Sequence, residues 1–251
     1  MSAEIILRIE RLTKKFGGVT AIDDVSFNLH RGEFMGVIGP NGSGKTTLVN
    51  LITGFVTATS GHVVFKGQDI TGKRPYTIAD KGLVRTFQMV KPFHHMAAYR
   101  NLIIPLYSPR VKRLKGGKFG ERDHVALDLL EEVGFERDSS VPYKTAGSLP
   151  HGYLKRMELA SVMALRPELI ILDELFSGMS MSEVASTMPI IEKLAQEGKT
   201  MVVIEHSLRE LFRVAKRVIV LDYGRKIADG PPSEVMASRS VQKAYLGSEG
   251  E

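Results

Sequence analysis

One short glycine-rich stretch constrains this chain more than any other part of its sequence. Residues 39–46 read GPNGSGKT and match the pattern G-x-x-x-x-G-K-[ST] in full. A short apolar run, FMGVIG, leads into the stretch, and a helical pattern runs from Lys45 to about Thr53. Glycines in such a turn let backbone N–H groups point inward around phosphate groups. The sequence therefore predicts a phosphate-binding loop between a buried strand and a helix.

The residues that end this stretch have distinct predicted tasks. Lys45 is expected to reach the β and γ phosphates of a nucleotide as a point charge, and the Thr46 hydroxyl to ligate Mg²⁺. Thr47 and the N-terminus of the helix offer further donors to the phosphates. A nucleoside triphosphate with its metal ion is thus the predicted ligand.

A pair of acidic residues follows a second apolar run. Residues 169–174 read LIILDE, the pattern of a buried strand that ends in two carboxylates. Asp173 is a candidate to hold Mg²⁺, directly or through water, and Glu174 to polarise an attacking water. A solvated acidic pair at a strand end is the alternative. Adjacent like charges are unfavourable unless a cation lies between them, which favours the metal site.

Strand and helix patterns alternate over much of the chain, which indicates an α/β core with largely parallel strands. In front of that core, alternating apolar residues predict strands at 5–9, 25–29 and 61–67. The middle of the chain, from about Met89 to Ser161, has helical patterns and few strand candidates. The sequence predicts one core, with strands added at the front and a helical block inserted in the middle.

Composition narrows the class of protein further. The chain of 251 residues has no cysteine, so disulfides and thiolate metal sites are excluded, and no apolar run approaches the roughly 18 residues of a membrane span. We see no signal peptide, and the lack of one fits a reducing cytosol. The net charge of +6 has four possible explanations: a solvated basic surface, an anionic ligand, a nucleic acid or a membrane surface. The densest basic run, residues 110–122, has the pattern of a loop.

Several motifs together resemble those of the ATP-binding subunits of ABC transporters, in the order usual for that family and over nearly the whole chain. They are Phe16 in KKFGG, the loop GPNGSGKTT, Gln88 in VRTFQ, the turn LPHGYLKRMELA, the strand LIILDE and His206 in VVIEH. The resemblance implies a P-loop (RecA-like) core with an N-terminal antiparallel β subdomain and an inserted helical subdomain. One ATPase domain is then expected over residues 1–251, with the core and β subdomain in 1–88 and 162–251 and the helical subdomain at about 89–161.

The resemblance also implies the site residues. For catalysis they are Glu174, His206, Gln88 and Lys45, and for the metal Thr46, Gln88 and Asp173. For ATP they are Phe16, which would stack on adenine, and Gly39, Pro40, Asn41, Gly42, Ser43, Gly44, Lys45, Thr46 and Thr47. A signature turn would serve the ATP of the opposite subunit with Leu149, Pro150, His151, Gly152 and Tyr153.

Within the family, the chain is most similar to the ATPases of branched-chain amino-acid importers. The matching features are VRTFQMVKPF, the basic insertion at 110–122, IEHSL and the ending VQKAYLG. The implied partners are transmembrane permease subunits, a second ATPase subunit and, indirectly, an extracytoplasmic solute-binding protein, with no nucleic acid. The implied place is the cytoplasmic face of the membrane, as a peripheral subunit. The implied cofactors are ATP and Mg²⁺.

Two other functions stay open. An exporter ATPase such as the lipopolysaccharide type is similar in size and ending. The second alternative is a non-transport ABC ATPase that acts on nucleic acid. Such proteins usually carry two cassettes or a long coiled-coil insertion. The cargo itself cannot be read from this chain, since substrate selection lies in partner chains.

The chain departs from the family pattern at three positions. Pro150 stands where the signature turn usually has a serine, which removes a hydroxyl and a backbone N–H. Ser148, just before the turn, is a candidate to replace that hydroxyl in part. Leu175 stands where proline is common, and Ser180 where aspartate or asparagine is frequent. These departures allow an alternative in which the chain is the weaker half of a heterodimer.

Overall fold

A computed structural model of the protein describes residues 4–87, 89–114, 121–205 and 207–246. Gln88, His206 and the middle of the basic run at 110–122 therefore lie outside the described residues. The strands are β1 (Ile5–Phe16), β2 (Val19–His30), β3 (Phe34–Ile38), β4 (Ser60–Phe65), β5 (Gln68–Asp69), β6 (Leu83–Arg85), β7 (Leu169–Asp173), β8 (Met201–Ile204), β9 (Arg217–Asp222) and β10 (Arg225–Gly230).

Helices connect these strands and fill the middle of the chain. They are α1 (Lys45–Ile52), α2 (Pro75–Lys81), α3 (Ala98–Leu106), α4 (Pro109–Leu114), α5 (Arg122–Glu132), α6 (His151–Ala164), α7 (Met181–Gln196), α8 (Leu208–Val214), α9 (Pro232–Ala237) and α10 (Arg239–Leu246), with 3₁₀ turns at Val141–Tyr143 and Ala146–Ser148. Within the described residues, no helix is long and apolar enough to span a membrane.

The larger sheet has the strand order β10-β9-β3-β8-β7-β6. The pairs β3–β8, β3–β9, β7–β8 and β6–β7 are parallel, and β9 and β10 form an antiparallel hairpin. Every residue of β3 and β7 is buried, which is why both strands read as continuous apolar runs. Because β3, β7 and β8 run in the same direction, their carboxyl ends meet at one edge, where α/β sheets bind ligands. The predicted α/β core is confirmed.

The smaller sheet is antiparallel, in the order β2-β1-β4-β5, and confirms the strands predicted at the front of the chain. Strand β2 nevertheless begins at Val19, well before the predicted start at residue 25. The register shifts between β1 and β2, and Arg11 and Asp24 have positive φ values of 45° and 53°. These irregularities break the alternation of apolar residues, so the sequence pattern shows only half of the strand.

The middle of the chain is helical, as predicted, and has its own apolar packing. Helices α3, α5 and α6 bury Leu102, Ala126, Leu130 and Leu159 against one another. The same buried cluster continues into β7 through Ile170. Helix α6 ends at Ala164 and so passes through residue 161, where the helical block was predicted to end. Helix α6 therefore extends past the predicted end of the helical block toward β7 of the large sheet.

Candidate nucleotide-binding site

The loop between β3 and α1 adopts a conformation that only glycine allows at two of its positions. Gly39 has φ +153°, and a Cβ there would lie 2.1 Å from the Leu221 carbonyl oxygen. Gly44 has φ +106°, and a Cβ there would lie 2.7 Å from the Ala21 carbonyl oxygen. The β9–β10 turn supports the loop, because the Gly224 N–H donates to the Ser43 carbonyl at 2.9 Å. The loop is thus held from both sheets.

Lys45 lies at the centre of this loop and is almost fully buried. Its Nζ donates to the carbonyl oxygens of Gly39 at 2.7 Å and Pro40 at 3.0 Å, so the loop itself solvates the ammonium. Burial lowers the pKa of Lys45, and the nearby carboxylates of Glu174 and Asp173 oppose that shift. The three charged groups therefore face one small region.

A cavity of about 320 Å³ opens on this region. Its lining consists of the loop residues Asn41, Gly42, Ser43, Gly44, Lys45, Thr46 and Thr47, together with Ala21 and Glu174. The Ser43 hydroxyl is buried and has no hydrogen-bond partner among the described residues. A buried polar atom without a partner is costly unless a ligand completes its bonding. The cavity thus offers donors to an anionic ligand.

The oxygen atoms near this cavity suit a magnesium ion. Thr46 is exposed at the start of α1, and Asp173 ends β7 with its carboxylate buried. Hydroxyl and carboxylate oxygens are the ligands that Mg²⁺ prefers, usually together with substrate phosphates and water. Thr46 and Asp173 therefore fit the metal, and Gln88, the third predicted ligand, lies outside the described residues.

Asp173 and Glu174 are held in different ways. The Asp173 N–H donates to the Thr86 hydroxyl at 3.0 Å, and its Oδ2 accepts from Arg85 Nη2 at 2.6 Å. Burial raises the pKa of Asp173, and the Arg85 charge opposes that shift. Glu174 has φ +50°, a conformation uncommon for a residue with a side chain, and its N–H donates to the Ile204 carbonyl at 2.9 Å. Local backbone strain of this kind is often found at functional sites.

Two buried charged residues beside Glu174 had no role in the sequence interpretation. Lys155, from α6, is fully buried and donates to the Glu174 carbonyl at 3.2 Å. Glu205 follows β8 and accepts from the Phe176 N–H at 3.1 Å. Burial raises the pKa of Glu205 to about 7, although the Phe176 N–H opposes the shift. In sequence each is one charge among many, and only the fold shows that both are buried.

Stability is expected to fall with rising pH because of Glu205. Its pKa is about 7 in the folded chain against a usual value of 4.5, so the folded state binds more protons between those two pH values. The free energy of unfolding then decreases across that window, by at most about 3 kcal/mol for this group. Urea unfolding at pH 5 and pH 8 should show a smaller difference for Glu205→Gln than for wild type. An equal difference would contradict the shift, and Glu10→Gln, at the half-buried Glu10 that pairs with Arg8, serves as the control.

The predicted signature turn binds an acidic side chain of its own chain. Helix α6 begins at His151 after Pro150, and the Gly152 N–H donates to Glu183 Oε1 at 2.8 Å. His151 Nε2 lies 3.2 Å from the Ser177 carbonyl oxygen. Ser148 does not replace the missing hydroxyl, because its Oγ donates to the Thr145 carbonyl at 2.8 Å. The anion at this helix N-terminus is thus the Glu183 carboxylate.

Glu183 has a second partner at the start of α7. Ser180 is the N-cap of that helix, and its N–H donates to Glu183 Oε2 at 2.8 Å, while its hydroxyl accepts from the Glu183 N–H at 3.3 Å. The Ser180 N–H, the Ser180 hydroxyl, which also donates to Glu183 Oε2 at 2.8 Å, and the Gly152 N–H lower the pKa of Glu183. The pattern S-x-x-E at 180–183 is a capping box, so the sequence held a signal for the cap but none for the contact with Gly152.

Phe16 and the predicted signature turn do not line the cavity at the phosphate loop. Phe16 ends β1, is half exposed and has Lys14 Nζ 4.8 Å from its ring centroid. The turn Leu149–Tyr153 also does not line this cavity. The structure therefore brings together the loop and the two acidic residues, but neither Phe16 nor the turn.

Behind the loop lies a second cavity, of about 840 Å³, which the last helix helps to form. Tyr245 on α10 and Gly39 of the loop both contribute to its wall. Burial raises the pKa of Tyr245. The C-terminal helix thus contacts the back of the phosphate loop.

Comparisons with known proteins agree with this geometry. A family model described as "ABC transporter" matches residues 22–177, and one described as "Branched-chain amino acid ATP-binding cassette transporter" matches residues 225–251. The high-affinity branched-chain amino acid transport ATP-binding protein BraF of Pseudomonas aeruginosa is 34% identical over 96% of this chain and 98% of its own length.

Solved structures with a similar fold include the ADP conformation of MJ1267, an ATP-binding cassette of an ABC transporter. Its TM-score is 0.83 at 32% identity, over 97% of this chain and 99% of that one. A dimeric post-hydrolysis state of the cassette MJ0796, bound to ADP and Pi, has a TM-score of 0.78 at 25% identity. That match covers 90% of this chain and 99% of the other.

Proposed function

Because this chain belongs to the family of ABC transporter ATP-binding subunits, we propose that it hydrolyses ATP to power a membrane importer of branched-chain amino acids or similar small solutes. The observation that carries the proposal is the cavity at the carboxyl edge of β3 and β7, where a phosphate loop faces Glu174. The similarity to BraF over almost the whole chain supports the solute class. The exporter and nucleic-acid alternatives have no comparable support.

Within the cavity, each group has a proposed role in binding. Lys45 exchanges its carbonyl partners for the β and γ phosphates of ATP, and the Ser43 hydroxyl and loop N–H groups complete the phosphate shell. Thr46 and Asp173 would hold Mg²⁺, which would neutralise charge on the phosphates when bound. Phe16, which does not line the cavity, is proposed to stack on the adenine beyond it.

Hydrolysis then depends on Glu174. Its carboxylate orients the attacking water and accepts a proton from it as the new bond to the γ-phosphorus forms, while the bond from that phosphorus to the bridging oxygen breaks and ADP leaves. The proposed role of His206 is to stabilise the γ-phosphate charge, and that of Gln88 is to contact the metal and the water. The strained backbone of Glu174, fixed by Ile204 and by the bond from Lys155, favours one direction for the catalytic side chain.

ATP also joins this subunit to a second one in the proposed cycle. The signature turn Leu149–Tyr153 of each subunit covers the ATP of the other, and closure follows because ATP makes contacts in the closed state that the open state lacks. The dimeric state of MJ0796 supports this arrangement. We propose residues 89–161 as the helical subdomain that moves, with 1–88 and 162–251 as the core and β subdomain.

Permease subunits are the proposed partners at the membrane, on its cytoplasmic face, with a solute-binding protein acting indirectly. Exposed apolar side chains support a docking surface around the segment that contains Gln88. They are Phe55, Phe87, Met89 and Phe93. Movement of the helical subdomain would reach the permease through this surface.

Reconstitution tests the proposed function directly. The chain is co-expressed with candidate permease subunits, and the complex is placed in vesicles with the solute-binding protein. ATP-dependent uptake of radiolabelled leucine is the expected result, with ATPase activity stimulated by loaded binding protein. ATP-dependent export, or ATPase activity stimulated by nucleic acid alone, would contradict the proposal.

Removing the Glu183 carboxylate is expected to ease ATP-driven pairing of the subunits. In the proposed cycle the γ-phosphate needs the Gly152 N–H that Glu183 now occupies at 2.8 Å. A hydrogen bond to a charged group contributes roughly 1.5–3 kcal/mol, so Glu183→Ala should lower the ATP concentration for half-maximal pairing by about tenfold. Pairing is measured by light scattering in a Glu174→Gln background, where hydrolysis does not empty the site.

Ser180→Ala is the matched control, because it removes the same cap of α7 and leaves the Gly152 contact in place. Equal ATP dependence in the two variants would show that Glu183 does not compete with phosphate. If this chain pairs only with a different ATPase subunit, the heterodimer is favoured. In that heterodimer, the turn of this chain covers an ATP site of low activity.

A further inference from the structure

We propose that Arg85 is a positioning residue for the ATPase reaction, and that it fixes Asp173 for Mg²⁺ by joining it to the helix of the phosphate loop. The inference rests on the proposed function, and no sequence motif assigned a role to this arginine. Arg85 ends the edge strand β6, which pairs in parallel with β7, the strand that ends in Asp173. The two side chains are 8% and 4% exposed.

The guanidinium of Arg85 bonds to three parts of the site at once. Nη2 donates to Asp173 Oδ2 at 2.6 Å, and Nη1 donates to Asn50 Oδ1 at 2.7 Å on helix α1. Nη1 also lies 3.4 Å from Thr53 Oγ1, and Nε donates to the Thr86 carbonyl at 3.2 Å. The carboxylate of Asp173 is thus fixed through one of its two oxygens, at a set distance from the helix that begins with Lys45.

Two phenylalanine rings cover the guanidinium. The Arg85 Cζ lies 5.5 Å from the ring centroid of Phe55 and 4.9 Å from that of Phe87, and the two rings meet edge to face. Such rings attract a cation and keep water away from it. Contacts on several sides therefore immobilise Arg85. A side chain that orients the Asp173 carboxylate must itself be fixed in this way.

Arginine is the side chain that this arrangement needs. Its planar fork makes several bonds in fixed directions, whereas the ammonium of lysine is a point charge on a flexible stem. Residues that hydrogen-bond to a metal-ligating carboxylate orient it, and their loss typically lowers metal affinity 10- to 100-fold. Loss of Arg85 should therefore weaken the response to Mg²⁺ and spare the contacts of nucleotide with the loop.

The test compares nucleotide binding with and without the metal. Binding of a fluorescent ADP analogue is measured in EDTA, and Mg²⁺ is then titrated at a fixed concentration of the analogue. For Arg85→Met, affinity in EDTA should stay within about threefold of wild type, and half-saturating Mg²⁺ should rise about tenfold or more. Arg85→Lys, which keeps the charge and loses the fork, should show a smaller rise of the same kind.

Arg110→Met is the matched control. Arg110 is also a buried arginine, but it bonds to the carbonyls of Leu165 and Arg166, away from the cavity. Its loss should lower the melting temperature and leave half-saturating Mg²⁺ unchanged.

The outcomes separate the inference from the function on which it rests. An unchanged Mg²⁺ titration in folded Arg85→Met overturns the inference, as does an equal shift in Arg110→Met. If Arg85→Met does not fold, an unchanged titration in Arg85→Lys overturns it. Wild-type protein that binds no ADP analogue, or shows no response to Mg²⁺, would instead contradict the proposed function.

Discussion

Replacing Glu174 by glutamine is expected to lower ATP turnover by about 10²- to 10⁴-fold, the usual contribution of a general acid or base. Glutamine has the same shape but cannot accept the proton of the attacking water. The backbone contacts of residue 174, to the Ile204 carbonyl and from Lys155, involve main-chain atoms and do not change. Affinity for ATP should therefore stay within about threefold of wild type, because the loop contacts are intact.

Turnover is measured as phosphate release, and affinity as equilibrium binding of a fluorescent ATP analogue. Glu168→Gln is the control, because Glu168 pairs with Arg31 and Lys66 away from the cavity and its loss should leave turnover unchanged. Wild-type turnover in Glu174→Gln would mean that another group orients the water. A parallel fall in affinity would point to a disturbed loop.

Replacing Lys45 by alanine is expected to weaken ATP binding by roughly 10- to 150-fold, since a hydrogen bond to a charged group contributes about 1.5–3 kcal/mol. The Lys45 ammonium already lies inside the loop, where it donates to the Gly39 and Pro40 carbonyls. The phosphates of ATP can therefore bond to it without a large movement of the side chain. Alanine removes the positive charge beside Asp173 and Glu174. The two carboxylates then repel the phosphates with no ammonium between them.

Binding of ATP is measured by calorimetry with and without Mg²⁺. Lys66→Ala removes a lysine that pairs with Glu168 on the surface, and its ATP affinity should equal that of wild type. Arginine at position 45 should rescue poorly, because the guanidinium is larger and planar. Unchanged affinity in Lys45→Ala would contradict the phosphate-loop assignment.

The sequence predicted the core of the site because burial leaves a clear pattern there. Strands β3 and β7 are buried on both faces, so each is an unbroken apolar run, and the residues that follow each run meet at one edge of the sheet. Helix α1 was predicted because a helical pattern of apolar residues follows the phosphate loop. Strand β6 was missed, since its three residues are too short to show a period.

The contacts that connect the site to the rest of the chain could not be predicted. Arg85 and Asp173 are 88 residues apart, and Gly152 and Glu183 are 31 apart. In sequence, a buried charge cannot be distinguished from a solvated one, and its partner depends on which strands become neighbours. The structure also changes the interpretation of Pro150, because the loss of a hydroxyl matters less than the carboxylate that occupies the turn.

The position of helix α10 behind the phosphate loop affects where the chain can be shortened or changed. Gly39 lies in the segment matched by the general family model, and Tyr245 in the segment matched by the branched-chain model. Both residues line the cavity behind the phosphate loop, so the segment matched by the branched-chain model forms part of the loop's surroundings. A truncation placed after β10 would remove this wall of the cavity, so deletions at this end are expected to affect the loop. Inherited changes in the tail can, by the same route, retune nucleotide affinity while every residue of the cavity stays the same.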